Sequence, residues 1–123
     1  MLAVLVSLRV RPDRQDQFLA AIRANAASSL ELERGCHVFD ILHDQSDSHR
    51  FVLYEVYDSA EAFESHRQTP HFHRWRQAAS ECLDPENGQH NDFFDTIEVH
   101  EGGRRWGSDG ERCGQLRGAR CAR

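Results

Sequence analysis

Apolar residues alternate from the first position: Leu2, Val4, Val6, Leu8 and Val10 share one face of a strand. Ala3, Leu5 and Ser7 on its other face are small or apolar rather than charged. Pro12 and Asp13 then open a helix, and Phe18, Leu19, Ile22, Ala26 and Leu30 follow at spacings of three and four. Gly35 closes that connection. Val38, Phe39, Ile41 and Leu42 predict a second strand, and the cluster Asp44–Ser48 predicts a turn. Phe51–Tyr57 is almost wholly β-branched or aromatic, apart from Glu55, and reads as a third strand. Asp58 with Glu61 resembles a capping box for a short helix carrying Phe63 and His66. Thr69-Pro70 is a helix start: the hydroxyl can accept from an orphan backbone N–H, and proline there loses no bond. That helix buries Phe72, Trp75, Ala79 and Leu83. A loop at 84–88 leads to a last strand marked by Phe93, Phe94, Ile97 and Val99.

The order β-α-β-β-α-β, with its second helix broken in two, predicts an α+β, ferredoxin-like split βαβ fold: an antiparallel sheet with helices on one face. A lone sheet of this kind should be polar on its open face. These strands carry apolar side chains on both faces, among them Leu5, Phe39, Ile41 and Leu53. The uncovered face is therefore expected to meet a second copy in a two-fold homodimer.

Length and charge narrow the function classes. At 123 residues the chain fits one domain, expected over residues 1–100. That part holds nine arginines against 17 acidic residues, a net charge of −8, which argues against a nucleic-acid partner. Residues 101–123 carry +3, are glycine-rich and have no periodicity, so a basic, disordered or loosely docked tail is expected there. No segment approaches a membrane span, the N-terminal run lacks the flanks of a signal peptide, and a cytoplasmic location is expected. Cys36, Cys82, Cys113 and Cys121 show no C-x-x-C spacing and read as incidental thiols.

Candidate chemistry concentrates in H-R-Q-T-P-H-F-H-R-W, residues 66–75. His66 falls near the end of one helix and His71 in the first turn of the next, beside Phe72 and Trp75, an arrangement suited to proton handling on an apolar wall. His73 and His90 read as surface residues. Asn25 and Ser29 point inward with the apolar stripe of the first helix, where an amide must find partners or cost about 1–3 kcal/mol. Asn25 either ties the helix to a strand carbonyl or holds a substrate oxygen. Asp40 and Glu55 lie mid-strand among apolar neighbours, where a carboxylate is either paired with arginine (Arg9 and Arg23 are available) or functional. Tyr54 and Tyr57 can pack with their hydroxyls at the rim. His66, His71 and His73 do not form a metal set, because no carboxylate completes a known ligand spacing. Nucleotide-loop and serine-hydrolase motifs do not occur.

The opening strand, Asn25, E-R-G-C-H-V-F-D at 33–40, F-V-L-Y-E-V-Y with Ala62 after it, and H-x-x-T-P-H at 66–71 together resemble the antibiotic biosynthesis monooxygenase family over residues 1–100. The resemblance implies a dimeric α/β-barrel with a small apolar pocket between sheet and helices. It implies a cofactor-independent monooxygenase that deprotonates a small quinol, phenol or enolisable substrate and lets the anion react directly with O₂. It also implies an alternative, an isomerase of a phosphorylated autoinducer-2-type dione working through an enediolate. Both need a base, oxyanion donors and a dry cavity. His66 is assigned as base or proton shuttle and Asn25 as oxyanion donor. His71, Tyr54, Glu55, Phe39, Phe72, Trp75 and Ser29 are assigned to substrate binding, and neither metal nor cofactor is expected. The isomerase would have to hold a phosphate, for which the helix start at 70–72, Arg67 and Arg74 are the candidates. That demand places the oxygenase first. A haem-degrading member is disfavoured, since Ser7 and Arg76 occupy the positions of its asparagine and histidine. A non-catalytic dimeric ligand-binding protein is the remaining alternative.

Overall fold

The computed structural model describes residues 1–100; the expected tail, with Cys113 and Cys121, lies outside the described residues. Strand β1 (Leu2–Arg9) leads through a short 3₁₀ turn (Pro12–Arg14) into α1 (Gln15–Leu32). Then come β2 (Cys36–His43), β3 (Arg50–Tyr57), α2 (Ala60–His66), α3 (Pro70–Cys82) and β4 (Gln89–Asp95). The sheet order is β2-β3-β1-β4 with every neighbour antiparallel, the split βαβ topology that the hydrophobic pattern predicts. No helix among the described residues is long and apolar enough to cross a membrane.

Register assigns the faces. Val4 pairs with Glu55 and Phe93, and Glu55 pairs with Phe39, so these four share the helix-covered face. Leu5, Tyr54 and Asp40 lie opposite, on the open face. The core joins Val4, Val6 and Leu8 to Phe18, Ile22, Phe51, Leu53 and Trp75, with Phe18 tilted against Phe51 at 4.8 Å between ring centroids. Burying such side chains stabilises the domain by about 1.5–3 kcal/mol each.

Four expectations are corrected. Leu30 is about half exposed, because the buried face of α1 runs through Phe18, Ile22, Asn25, Ala26 and Ser29 and Leu30 lies off it. Ile97 and Val99 are exposed and lie beyond β4, which begins earlier, at Gln89, along a polar run that β1 recruits by backbone pairing. The cap of α2 is Ser59, whose hydroxyl accepts from the Ala62 N–H at 3.1 Å; Asp58 instead hydrogen-bonds His37. Tyr57 does not place its hydroxyl at the rim: the residue is fully buried.

The start of β2 passes close under α2. The Asp58 N–H donates to the Gly35 carbonyl at 2.8 Å, and a Cβ built on Gly35 would stand 2.8 Å from the Ala62 Cβ. Only glycine allows that approach, and it sets the height of α2, hence of His66 at its end. Gly35→Ala should destabilise the fold by about 1–3 kcal/mol through overpacking, read as a lower midpoint in urea unfolding. A midpoint equal to the parent would contradict this packing.

Candidate active site

A cavity of about 480 Å³ lies between the sheet and the three helices. The sheet contributes Val6, Leu53, Glu55, Gln89, Asn91 and Phe93; α1 gives Asn25; α2 and α3 give Phe63, His66, Phe72, Trp75 and Arg76, with Arg67 at the corner between them.

The corner is built by Thr69. Its hydroxyl accepts from the Phe72 N–H at 3.1 Å, capping α3, and donates to the His66 carbonyl at 2.8 Å, closing α2. One hydroxyl thereby fixes both helix ends and brings His66 and His71 together, with ring centroids 6.1 Å apart. Both imidazoles are buried and both address one carboxylate, Glu33, just past the end of α1. His66 Nδ1 lies 2.9 Å from Glu33 Oε2, and His71 Nε2 hydrogen-bonds the same oxygen. An ionised carboxylate only accepts, so His66 carries its proton on Nδ1 and keeps Nε2 as the basic nitrogen. The ring is enclosed by Tyr57, Phe63 and Phe72 at centroid distances of 5.2, 6.0 and 5.1 Å. Burial lowers its pKa from the usual histidine value, opposed by the Glu33 hydrogen bond.

Across the sheet, Glu55 is 4% exposed and is not paired with an arginine among the described residues, contrary to the first of its two expected readings. Its Oε1 accepts from the Tyr57 hydroxyl at 2.6 Å. Burial pushes the Glu55 carboxyl up to about 7, against the lowering effect of that hydrogen bond; Glu33 adds a smaller upward push. Burial and the neighbouring Glu55 also push the Tyr57 hydroxyl upward, so it stays a donor. Asn25 lines the cavity, and its Oδ1 has no hydrogen-bond partner among the described residues. The Ser29 hydroxyl one turn on is likewise buried and unpartnered.

Of the residues assigned from sequence, the fold brings His66, Asn25, Glu55, Phe72 and Trp75 to one cavity. His71 stands behind His66 through Glu33, and Phe39 packs beside the His66 ring at 6.3 Å without lining the space. Tyr54 faces away, on the open side of the sheet; the tyrosine that serves the site is Tyr57. Arg67, Arg74 and Arg76 are all exposed; Arg67 and Arg76 also line the cavity, and Arg67 Nη1 lies 3.3 Å from Glu64 Oε1. Burial and the nearby Arg67 lower the Arg76 pKa, and its Nη1 donates to Gln89 Oε1 at 2.6 Å. Glu33 was missed. It opens the E-R-G-C run, but nothing local ties it to histidines 33 and 38 residues away. The donor atoms of Glu33, His66 and His71 lie within 4.8 Å of one another, so the carboxylate that sequence spacing could not supply to a metal set is present in space.

The model of the antibiotic biosynthesis monooxygenase family matches residues 1–78. An isomerase of (4S)-4-hydroxy-5-phosphonooxypentane-2,3-dione from Klebsiella pneumoniae is 40% identical over 72 residues, 58% of this chain and 72% of that one. The enzyme of the same name from Yersinia enterocolitica is 42% identical over 74 residues, 60% and 76% of the two chains. Among solved structures, a Nitrosomonas europaea protein assigned to the antibiotic biosynthesis monooxygenases is 28% identical with a TM-score of 0.73, covering 80% of this chain and all of the other. With its fold, its H-x-x-T-P-H corner and more than half its length matched, the chain belongs to the antibiotic biosynthesis monooxygenase family.

Proposed function

We propose that the protein is an isomerase of a short phosphorylated hydroxy-dione, of the kind named for its relatives in Klebsiella and Yersinia. The observation that carries this reading over the oxygenase is the pair Arg67 and Arg76 on the cavity wall. Two guanidinium groups there supply what a phosphate monoester needs, and what a quinol would not use. Arg76 takes the place that sequence gave to Arg74, and the helix start at 70–72 is not needed: Thr69 already caps it.

The chemistry divides between two walls. A hydroxyl carbon beside a ketone is acidic once the ketone oxygen is held. His66 Nε2 takes the carbon-bound proton, and the electron pair moves onto the carbonyl oxygen to give an enediolate. The amide of Asn25 faces the developing oxyanion, and its unpaired Oδ1 accepts from the substrate hydroxyl. Glu55, protonated, gives its proton to the new oxyanion and recovers one from the neighbouring hydroxyl as that becomes the ketone. His66 returns its proton to the adjacent carbon. No proton, electron or oxygen atom is gained or lost. A carboxyl near pH 7 suits the give-and-take role, and a neutral imidazole suits the base.

The same reading includes a homodimer through the open sheet face. Leu42 and Phe94 are about half exposed there, beside Leu5, Val52 and Tyr54. Light scattering should give twice the chain mass, and Leu5→Asp with Phe94→Asp should return it to a monomer.

Purified protein should isomerise the phosphorylated dione, followed by ³¹P and ¹³C NMR, without consuming oxygen. Oxygen uptake with a panel of quinols and an inert dione would reverse the assignment. His66→Ala should lower kcat about 10²–10⁴-fold. Arg67→Ala with Arg76→Ala should raise KM about 10–100-fold for the phosphorylated substrate and leave the unphosphorylated dione unaffected.

Glu55 adds a pH signature. It must hold its proton, so kcat should fall as pH rises through about 7, and Glu55→Gln should lose that limb. Stability follows the same group. The native carboxyl keeps its proton to about 7, while the unfolded one releases it near 4.5. The native state therefore binds more protons between those values, and stability falls as pH rises across them, by at most about 3 kcal/mol. Glu55→Gln should flatten that decline in urea midpoints measured from pH 4.5 to 8. An unchanged slope would mean that Glu55 is not the titrating group.

A further inference from the structure

Behind the base lies a second hollow, of about 310 Å³, lined by Glu33, Arg34, Gly35, Asp58, Ala62, Ser65 and Thr69. Glu33 belongs to this hollow and not to the cavity; His66 lines the cavity and not the hollow. The Glu33 side chain is 12% exposed, against 2% for His66 and 5% for His71. The three donors come from three separate places in the fold, the end of α1, the end of α2 and the first turn of α3, and they converge within 4.8 Å.

We propose that Glu33, His66 and His71 form a binding site for a divalent transition-metal ion of the zinc type, and that its occupation switches off His66 as a base. Two imidazole nitrogens and one carboxylate oxygen are a donor set that zinc and cobalt accept, with ligand bonds of about 2.0–2.2 Å. Donors in a tetrahedron of that size stand about 3.3 Å apart. His66 Nδ1 and Glu33 Oε2 are 2.9 Å apart and His71 Nε2 is closer still to that oxygen, so the three donors must spread apart to admit an ion. The second hollow supplies an entry path and room for a water as fourth ligand. Thr69 provides the outer support, because its hydroxyl fixes the helix corner that aims both rings.

The switch follows from the two nitrogens of one ring. A metal on Nδ1 takes the lone pair made there when the proton leaves, and the neutral ring then carries its proton on Nε2. Nε2–H faces the cavity as a donor and can no longer accept a proton from carbon. His71 changes in the same way, from Nε2–H to Nδ1–H. Both rings stay neutral, no proton is released to solvent, and the ion brings two positive charges to a cluster that carries one negative charge. Binding does not depend on the isomerase reading; the loss of turnover does.

The test uses the full chain, stripped with chelator and titrated with Zn²⁺ by calorimetry and with Co²⁺ by visible absorption. One equivalent per chain should bind, with the ligand-field bands of four- or five-coordinate cobalt. Glu33→Gln and His71→Ala, each checked for retained fold by circular dichroism, should lose that equivalent, while His90→Ala keeps it. Two-bond ¹H–¹⁵N spectra should move His66 from its Nδ1–H to its Nε2–H form on adding Zn²⁺. Binding that survives both substitutions, or no stoichiometric binding, overturns the site. Zinc bound at the site with isomerisation undiminished overturns the switch alone. A metal-free enzyme that leaves the dione unchanged, with Zn²⁺ still binding through these residues, would sink the isomerase and the switch while the site stands.

Discussion

A carboxylate shared by two buried imidazoles is the contact on which the rest of this structure depends. Glu33 ends the long first helix, and both rings it holds sit at the corner where the second helical segment breaks. An anion with so little solvent needs partners, since an unpaired buried charge costs several kcal/mol. Here its partners are N–H groups that also want an acceptor. The satisfaction is mutual, and it carries chemical information, because it decides which nitrogen of His66 stays basic. Packing, tautomer and reactivity are set by one geometry.

Burial tunes the cavity in opposite senses on its two walls. It lowers a histidine and raises a glutamic acid to about 7. A surface pair of the same residues would be an imidazole half protonated near its usual value and a carboxylate fully ionised, unable to donate. The difference lies in the aromatic rings around His66 and the core face around Glu55. The apolar wall thus does more than line a cavity: it shifts both groups in the directions that the proposed enolisation would use.

Much of this was readable from the chain. Alternation gave the strands and their faces, and Thr69-Pro70 located the corner that aims both histidines. The inward spacing of Asn25 and Ser29 on α1 matched two buried polar residues, of which Asn25 lines the cavity and Ser29 does not. Three features escaped. Glu33 lies just outside the helix that carries it, and its partners are fixed only when three helix ends converge, so no local pattern marks it. Tyr54 was chosen over Tyr57 although parity puts Tyr57 with Glu55; the shared face was visible, but not the hydroxyl's 2.6 Å reach along the strand. Arg76 was not weighed as a phosphate ligand, because helical spacing fixes relative angles only. Which arginine faces inward depends on how α3 is rolled against α1 and the sheet.

The strongest sign that this cavity acts on a polar small molecule is a cost. Asn25 Oδ1 and Ser29 Oγ are buried with no partner among the described residues, at about 1–3 kcal/mol each, where alanine would pack without penalty. A chain built only to close a sheet gains nothing from them. Asn25 lines the cavity and makes sense as a group whose partner arrives with the ligand; Ser29 does not line it. An aromatic quinol offers two hydroxyls at opposite ends of a flat ring. A hydroxy-dione offers three oxygens on adjacent carbons. Its phosphate would lie against Arg67 and Arg76. The family's shared first step, removal of a proton to an electron-rich anion, leaves both outcomes open. The polar groups without partners and the paired guanidiniums favour the one in which the anion takes its proton back.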